Sequence, residues 1–159
     1  MTEDPEQQAR DKALRTAANV LQYRQRSARA LYDRLLEKGL ELELAEYAVE
    51  RLQQLGYLND TEYGRLLVRD LSARGYGAGR IRRELREKKL EPEALEAAME
   101  EYQADPERLR RYIEGKLRGQ APDRRMLKKV SDGLFRRGFS WEEIRTALRS
   151  YADQLEDAE

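Results

Sequence analysis

Two stretches decide the fold: RALYDRLLEKGLELELAEYAVERL at residues 29–52 and GRIRRELREKKLEPEALEAAMEEY at residues 79–102. Set one above the other, they place Leu31 over Ile81, Leu35 over Leu85, Leu40 over Leu90, Ala48 over Ala98 and Val49 over Met99, always 50 positions apart. A further step of 49 positions reaches Val130, Leu134, Phe139, Ala147 and Leu148. Three copies of one apolar template, each in the order helix, break, helix, point to a repeated structural unit of about fifty residues.

Each unit is expected to hold three helices. The first helices fall near 9–24, 60–74 and 106–119, the middle ones near 27–38, 79–88 and 123–137, and the third near 42–55, 92–103 and 141–155. In the third helices Leu44, Ala48, Leu52 and Leu55 make one apolar stripe, as do Leu95, Met99 and Tyr102, and Ile144, Leu148, Tyr151 and Leu155. So small a unit encloses little interior, so neighbouring units should share apolar surface. The expected fold class is all-α, an elongated curved array of three tandem three-helix repeats. The repeats span residues 9–58, 59–104 and 105–155, between flexible termini at 1–8 and 156–159.

Local signals support the boundaries. Ser140 with Glu143 fits a capping box, Asn59 or Asp60 can cap the helix bearing Tyr63, and Asp105 precedes a helix-starting Pro106. Pro92 marks another helix start. Gly39 and Gly138 stand where a middle helix should end in a left-handed residue, and Lys89 holds the matching place in the second unit.

Composition excludes several classes of function. The 159 residues contain no His and no Cys, which removes the commonest general base, the thiol nucleophile and the usual transition-metal ligands. The carboxylate pairs Glu142-Glu143 and Glu100-Glu101 lie on helices explained as polar faces, so no enzyme, catalytic residue, cofactor or metal is expected. No apolar run of about 18 residues is present, and the opening MTEDPEQQAR is polar, so a cytoplasmic protein without a membrane partner is expected. With no apolar stripe left over, a monomer is expected.

The 31 basic and 31 acidic residues cancel overall but are sorted along the chain. Residues 61–90 hold nine Lys and Arg against four acids, and residues 108–138 hold eleven against three. Between them, residues 91–107 carry seven acids and no base. The first basic band begins SARGYGAGRIRRELREKKL (72–90), where Gly75, Gly77 and Gly79 suit a turn between helices. With Ile81 and Leu85 facing inward, Arg82, Arg83, Arg86 and Lys89 cover an outward face. In the second band Leu127, Val130 and Leu134 should face the core, leaving Arg124, Arg125, Lys128, Lys129, Arg136 and Arg137 outside. Two such strips on successive units are expected to make one extended surface. The alternative is solvated faces balanced by the Glu-rich third helices.

Aromatic residues complete the candidates. Tyr76 either stacks on a base or a partner side chain, or packs over its own turn. Tyr57 and Tyr63 are expected at the seam between the first two units, and Trp141 in the capping region of the last helix, all three as core. The GYG turn lacks the GxxxxGK[ST] pattern of a phosphate-binding loop and follows a helix, so nucleotide binding is set aside.

Residues 55–90, LGYLNDTEYGRLLVRDLSARGYGAGRIRRELREKKL, resemble the signature stretch of the RecX family, bacterial modulators of the RecA recombinase. RSARALYDRLLEKGL (26–40) and DGLFRRGFSWEEIRTAL (132–148) agree, and the resemblance extends over about residues 12–152. Ala78 stands where family members often carry proline, and Lys89 where they commonly carry glycine. The resemblance implies tandem three-helix repeats that lodge in the groove of a RecA filament and inhibit strand exchange, ATPase and coprotease activities. That role belongs to DNA repair, homologous recombination and the SOS response. It implies the RecA filament as partner, with single-stranded DNA as a weaker one. The residues expected to make these contacts are Arg74, Tyr76, Arg80, Arg82, Arg83, Arg86, Lys88, Lys89, Arg124, Arg125, Lys128, Lys129, Arg136 and Arg137. Two other readings fit the residues: a sequence-independent nucleic-acid binder acting without RecA, and a general helical-repeat scaffold.

Overall fold

The computed structural model describes residues 4–158, which form nine helices and no strand. In chain order they are α1 (Pro5–Tyr23), α2 (Ala28–Glu37), α3 (Leu42–Gln54), α4 (Asp60–Ala73), α5 (Ala78–Glu87), α6 (Pro92–Met99), α7 (Pro106–Leu117), α8 (Arg124–Arg136) and α9 (Trp141–Asp157). None is long and apolar enough to cross a membrane.

The repeat survives in detail. Leu31, Leu35, Ile81, Leu85 and Leu134 are fully buried, and Ala48, Ala98, Ala147, Val49, Met99, Val130 and Leu90 are buried. Leu40, Phe139 and Leu148 are half-buried. The three middle helices also end alike. Gly39 (φ 94°), Lys89 (φ 63°) and Gly138 (φ 101°) are each left-handed. Each donates its N–H to the carbonyl three residues back, and the following residue donates to the carbonyl five back: Leu40 to Leu35, Leu90 to Leu85, Phe139 to Leu134.

Caps set the starts. Asp105 accepts from the Arg108 N–H at 3.1 Å, and Ser140 and Glu143 form both bonds of a capping box, at 3.1 and 3.0 Å. Asn59, not Asp60, caps α4 by accepting from the Glu62 N–H. Asp60 instead accepts from the Ala28 N–H at 2.8 Å, so that across 32 positions of sequence it helps cap α2, whose N-cap Ser27 accepts from the Ala30 N–H at 3.1 Å. Asp4 with Pro5 starts α1 earlier than expected, so residues 5–8, expected to be flexible, are helical. At the other end α9 continues through Asp157. The remaining expectation of flexibility, at residues 1–3 and 159, lies outside the described residues. Helix α6 stops at Met99, four residues short of expectation, and Glu100 and Glu101 follow it in a turn.

The chain divides into two compact units. The first comprises residues up to Leu67 together with Glu84–Met99, and the second Val68–Arg83 together with Glu100 onward. In the first, Ala13, Ala17 and Val20 of α1 pack with Leu31 and Leu35 of α2 and with Ala45, Ala48, Val49 and Leu52 of α3. There Gly64 allows α4 to press on α6, since a Cβ would stand 2.6 Å from the Cβ of Ala98. In the second, Leu109, Ile113 and Leu117 of α7, Val130 and Leu134 of α8, and Ile144, Ala147 and Tyr151 of α9 form the core. The buried Tyr151 hydroxyl donates to the Gln120 carbonyl at 2.8 Å.

Four apolar residues leave their expected places. Leu55 is exposed because it follows the last turn of α3 as its C-cap. Tyr57 is 75% exposed rather than at a seam, while Tyr63 is half-buried. Leu127 is exposed because core contact on α8 begins only at Val130, and Trp141 is exposed at the first position of α9.

Candidate functional site

The glycine-rich turn is built for close approach between backbones. Of its three glycines only Gly75 (φ 90°) needs the left-handed region. Gly77 donates its N–H to the Arg137 carbonyl at 2.7 Å, and Gly79 donates to the Gly138 carbonyl at 2.9 Å. A Cβ on Gly77 would stand 2.7 Å from the Gly138 carbonyl, and one on Gly138 would overlap the Arg80 backbone nitrogen. Any side chain at these positions would push the start of α5 off the end of α8.

That junction brings three of the expected site residues together. The Arg80 and Arg137 guanidinium carbons lie 4.9 and 5.7 Å from the Tyr76 ring centre. Arg137 also lies 5.3 Å from the Tyr112 ring, on which Lys116 sits at 5.6 Å. The result is a chain of alternating cations and rings from α5 through α8 to α7. Tyr76 thus already carries two guanidinium groups and is half-buried, which favours packing over its turn. Beside it, Tyr76, Tyr102, Tyr112, Arg108 and Arg137 line a cleft of about 280 Å³. Arg108, which no sequence pattern singles out, donates to the Ser72 carbonyl at 2.6 Å and to the Ala73 carbonyl, closing the C-terminal end of α4.

The other α5 cations differ among themselves. Arg83 and Arg86 are exposed, whereas Arg82 and Lys88 are half-buried. Lys89 donates from Nζ to Asp33 Oδ2 at 2.6 Å, and that hydrogen bond, with Arg29 nearby, holds the Asp33 carboxyl below the usual carboxylate range against the opposing effect of burial. Arg74 pairs with Asp70 at 3.1 Å on the surface of α4.

The densest exposed charge lies on α8. Arg124, Arg125, Lys128, Lys129 and Arg136 are all exposed, opposite the buried Val130 and Leu134, whereas Arg137 is half-buried among its rings. Helical spacing sorts them into two parallel rows, Arg124 with Lys128 and then Phe135, and Arg125 with Lys129 and then Arg136. Asp132 lies between the rows and meets Lys128 at 4.0 Å. Phe135 is 49% exposed and stacks face to face on the 45% exposed Trp141, with ring centres 4.6 Å apart and planes 9° from parallel. A legible signal for Phe135 is its absence from the apolar row of α8. Trp141 gives no such signal, because it lies three positions before the buried Ile144 and reads as core.

Comparison with known proteins bears on the repeats that carry these residues. Residues 59–99 match the family model for the second three-helix domain of RecX, and residues 103–148 match that for the third. The chain is 37% identical over 135 residues to the regulatory protein RecX of Xanthomonas oryzae pv. oryzae, a match covering 84% of each chain. It is 35% identical over 135 residues to that of Stenotrophomonas maltophilia, covering 84% of this chain and 83% of the relative. The crystal structure of RecX from Lactobacillus salivarius has the same fold, with a TM-score of 0.82 at 21% identity over 91% of this chain and 97% of that one. Identity this high, over most of both chains and with two domain models matched in order, means that the chain belongs to the RecX family of regulatory proteins.

Proposed function

We propose that this protein regulates the RecA recombinase without performing a reaction, by binding the RecA filament on single-stranded DNA. Bound in the filament groove, it inhibits strand exchange and the coupled ATPase and coprotease activities. The observation that carries this reading is membership of the RecX family across most of the chain. The exposed cations of α8 support it chemically, since a filament that encloses DNA offers phosphate and carboxylate partners to such a face. Modulation requires that the protein bind one filament state more tightly than the other, because equal binding shifts no equilibrium.

Titration of this protein into RecA on single-stranded DNA tests the reading. A fall in ATPase and in strand exchange at or below one protein per RecA subunit is the expected result. If both activities stay unchanged under saturating binding conditions, the reading fails.

The two cation rows of α8 also suit a second reading, nucleic-acid binding without RecA. Binding to bare oligonucleotide as tight as to the filament, with a steep loss in salt, would favour it.

A further inference from the structure

Exposed aromatic rings are costly to leave in water, yet Phe135 and Trp141 keep nearly half their surface outside while stacked on one another. Their position ties them to charge. Phe135 continues the row of Arg124 and Lys128, beside the row of Arg125, Lys129 and Arg136, along about 18 Å of helix. Among the described residues the only carboxylate paired on this face is Asp132, with Lys128. A flat aromatic surface at the end of two tracks of cations matches a polymer whose backbone carries phosphates and whose rings are free to stack. A duplex buries its base faces within its own stack, so single strands are the form that fits.

We infer that the Phe135–Trp141 pair is a stacking platform for a base of single-stranded DNA whose phosphates follow the cation rows of α8. The inference rests on the proposed reading only for its setting, since it names the face that meets nucleic acid. Tyr76 is thereby relieved of that role, being occupied by Arg80 and Arg137. Asp132, the one acid between the rows, opposes the phosphates, so Asp132→Asn should tighten binding.

Trp141 is the only tryptophan of the chain and reports directly on the platform. The full chain is titrated with an oligo-dT, with an oligo-U of the same length, and with an abasic oligomer carrying the same phosphates. The expected result is saturable quenching of tryptophan emission by oligo-dT and much less by the abasic strand. Quenching by oligo-U as well supports the platform, since ring stacking does not read the sugar. Phe135→Ala should weaken oligo-dT binding about 5- to 150-fold, measured by anisotropy of labelled DNA, and leave abasic binding unchanged. Phe135→Leu, which keeps apolar bulk without a ring, should behave as Phe135→Ala does. Equal quenching by dT and abasic strands, or wild-type dT affinity in Phe135→Ala, overturns the inference. Rescue by Phe135→Leu, or loss of the effect on RecA with DNA binding intact, would assign the patch to a protein contact and leave the proposed function standing. Conversely, base-dependent quenching without any effect on RecA would keep the platform and remove the proposed function.

Discussion

Lys89 Nζ lies 2.6 Å from Asp33 Oδ2, joining the end of one middle helix to the side of another across 56 positions of sequence. The same lysine holds a left-handed backbone at φ 63°, where the other two repeats have Gly39 and Gly138. Its side-chain bond and its backbone conformation therefore act in opposite directions on stability.

Lys89→Gly relieves about 1 kcal/mol of left-handed strain and loses an ion pair worth about 0.2–1 kcal/mol at this half-exposed position. In the wild-type background the net gain should be small. In an Asp33→Asn background, where no pair remains, it should approach the full amount, about 1 kcal/mol. Acid should act as Asp33→Asn does. The folded carboxyl titrates below its unfolded value of about 3.9, so the pair contributes fully above that pH and is lost as pH falls through the lower, folded value. A double-mutant cycle by urea denaturation near neutral pH and again in acid measures both effects.

Gly138→Ala and Gly39→Ala change the same residue type at the same step of the repeat. A methyl group added at Gly39 would have nothing within 4 Å, so its cost should be the left-handed strain alone, about 1–2 kcal/mol. At Gly138 the methyl would collide with the Arg80 backbone, and the cost should exceed about 3 kcal/mol. Denaturation midpoints of the two variants give the comparison.

Asp60→Ala leaves the Ser27 cap in place but removes the acceptor for the half-buried Ala28 N–H, and should cost about 1 kcal/mol, as for loss of one such hydrogen bond. Asp60→Asn keeps one acceptor oxygen without the charge and gives up the second, which serves the Glu91 backbone. Burial raises the folded carboxyl above its unfolded value, so its ionised form weakens the fold as pH rises from the unfolded value of about 3.9 through the raised one. Relative to wild type the Asn variant should therefore gain stability as pH rises through this window, with the gain vanishing below about pH 4. Stability measured against pH for both variants checks the sign.

Changing Arg125, Lys129 and Arg136 together to Ala empties one row of α8 without touching the core. The slope of log affinity for oligo-dT against log salt should become shallower by about 2, since each phosphate contact on a single strand contributes about 0.7. Circular dichroism should be unchanged, because all three side chains are exposed.

Most of the fold was legible because it is written in periodicity. Leu31, Ile81 and Val130 recur at fixed offsets, and such a row of apolar side chains has one place to go on a helix, the interior. Caps such as Ser140 with Glu143 are equally local, since donor and acceptor are three residues apart. The left-handed Lys89 was legible from its repeat partners Gly39 and Gly138.

The candidate site was legible as composition and not as arrangement. The cations of α8 could be named from spacing, because a helix places them opposite Val130 and Leu134. That Arg137 lies between Tyr76 and Tyr112, that Asp60 helps cap α2 and that Trp141 rests on Phe135 depend on segments far apart in sequence or on a helix end overhanging its core. Local pattern alone settles which residues are apolar, helical and charged, because those preferences act within a turn of the chain. Which aromatic side chains meet a neighbour and which meet water is settled only when separate helices pack, because burial is a property of the distance between them.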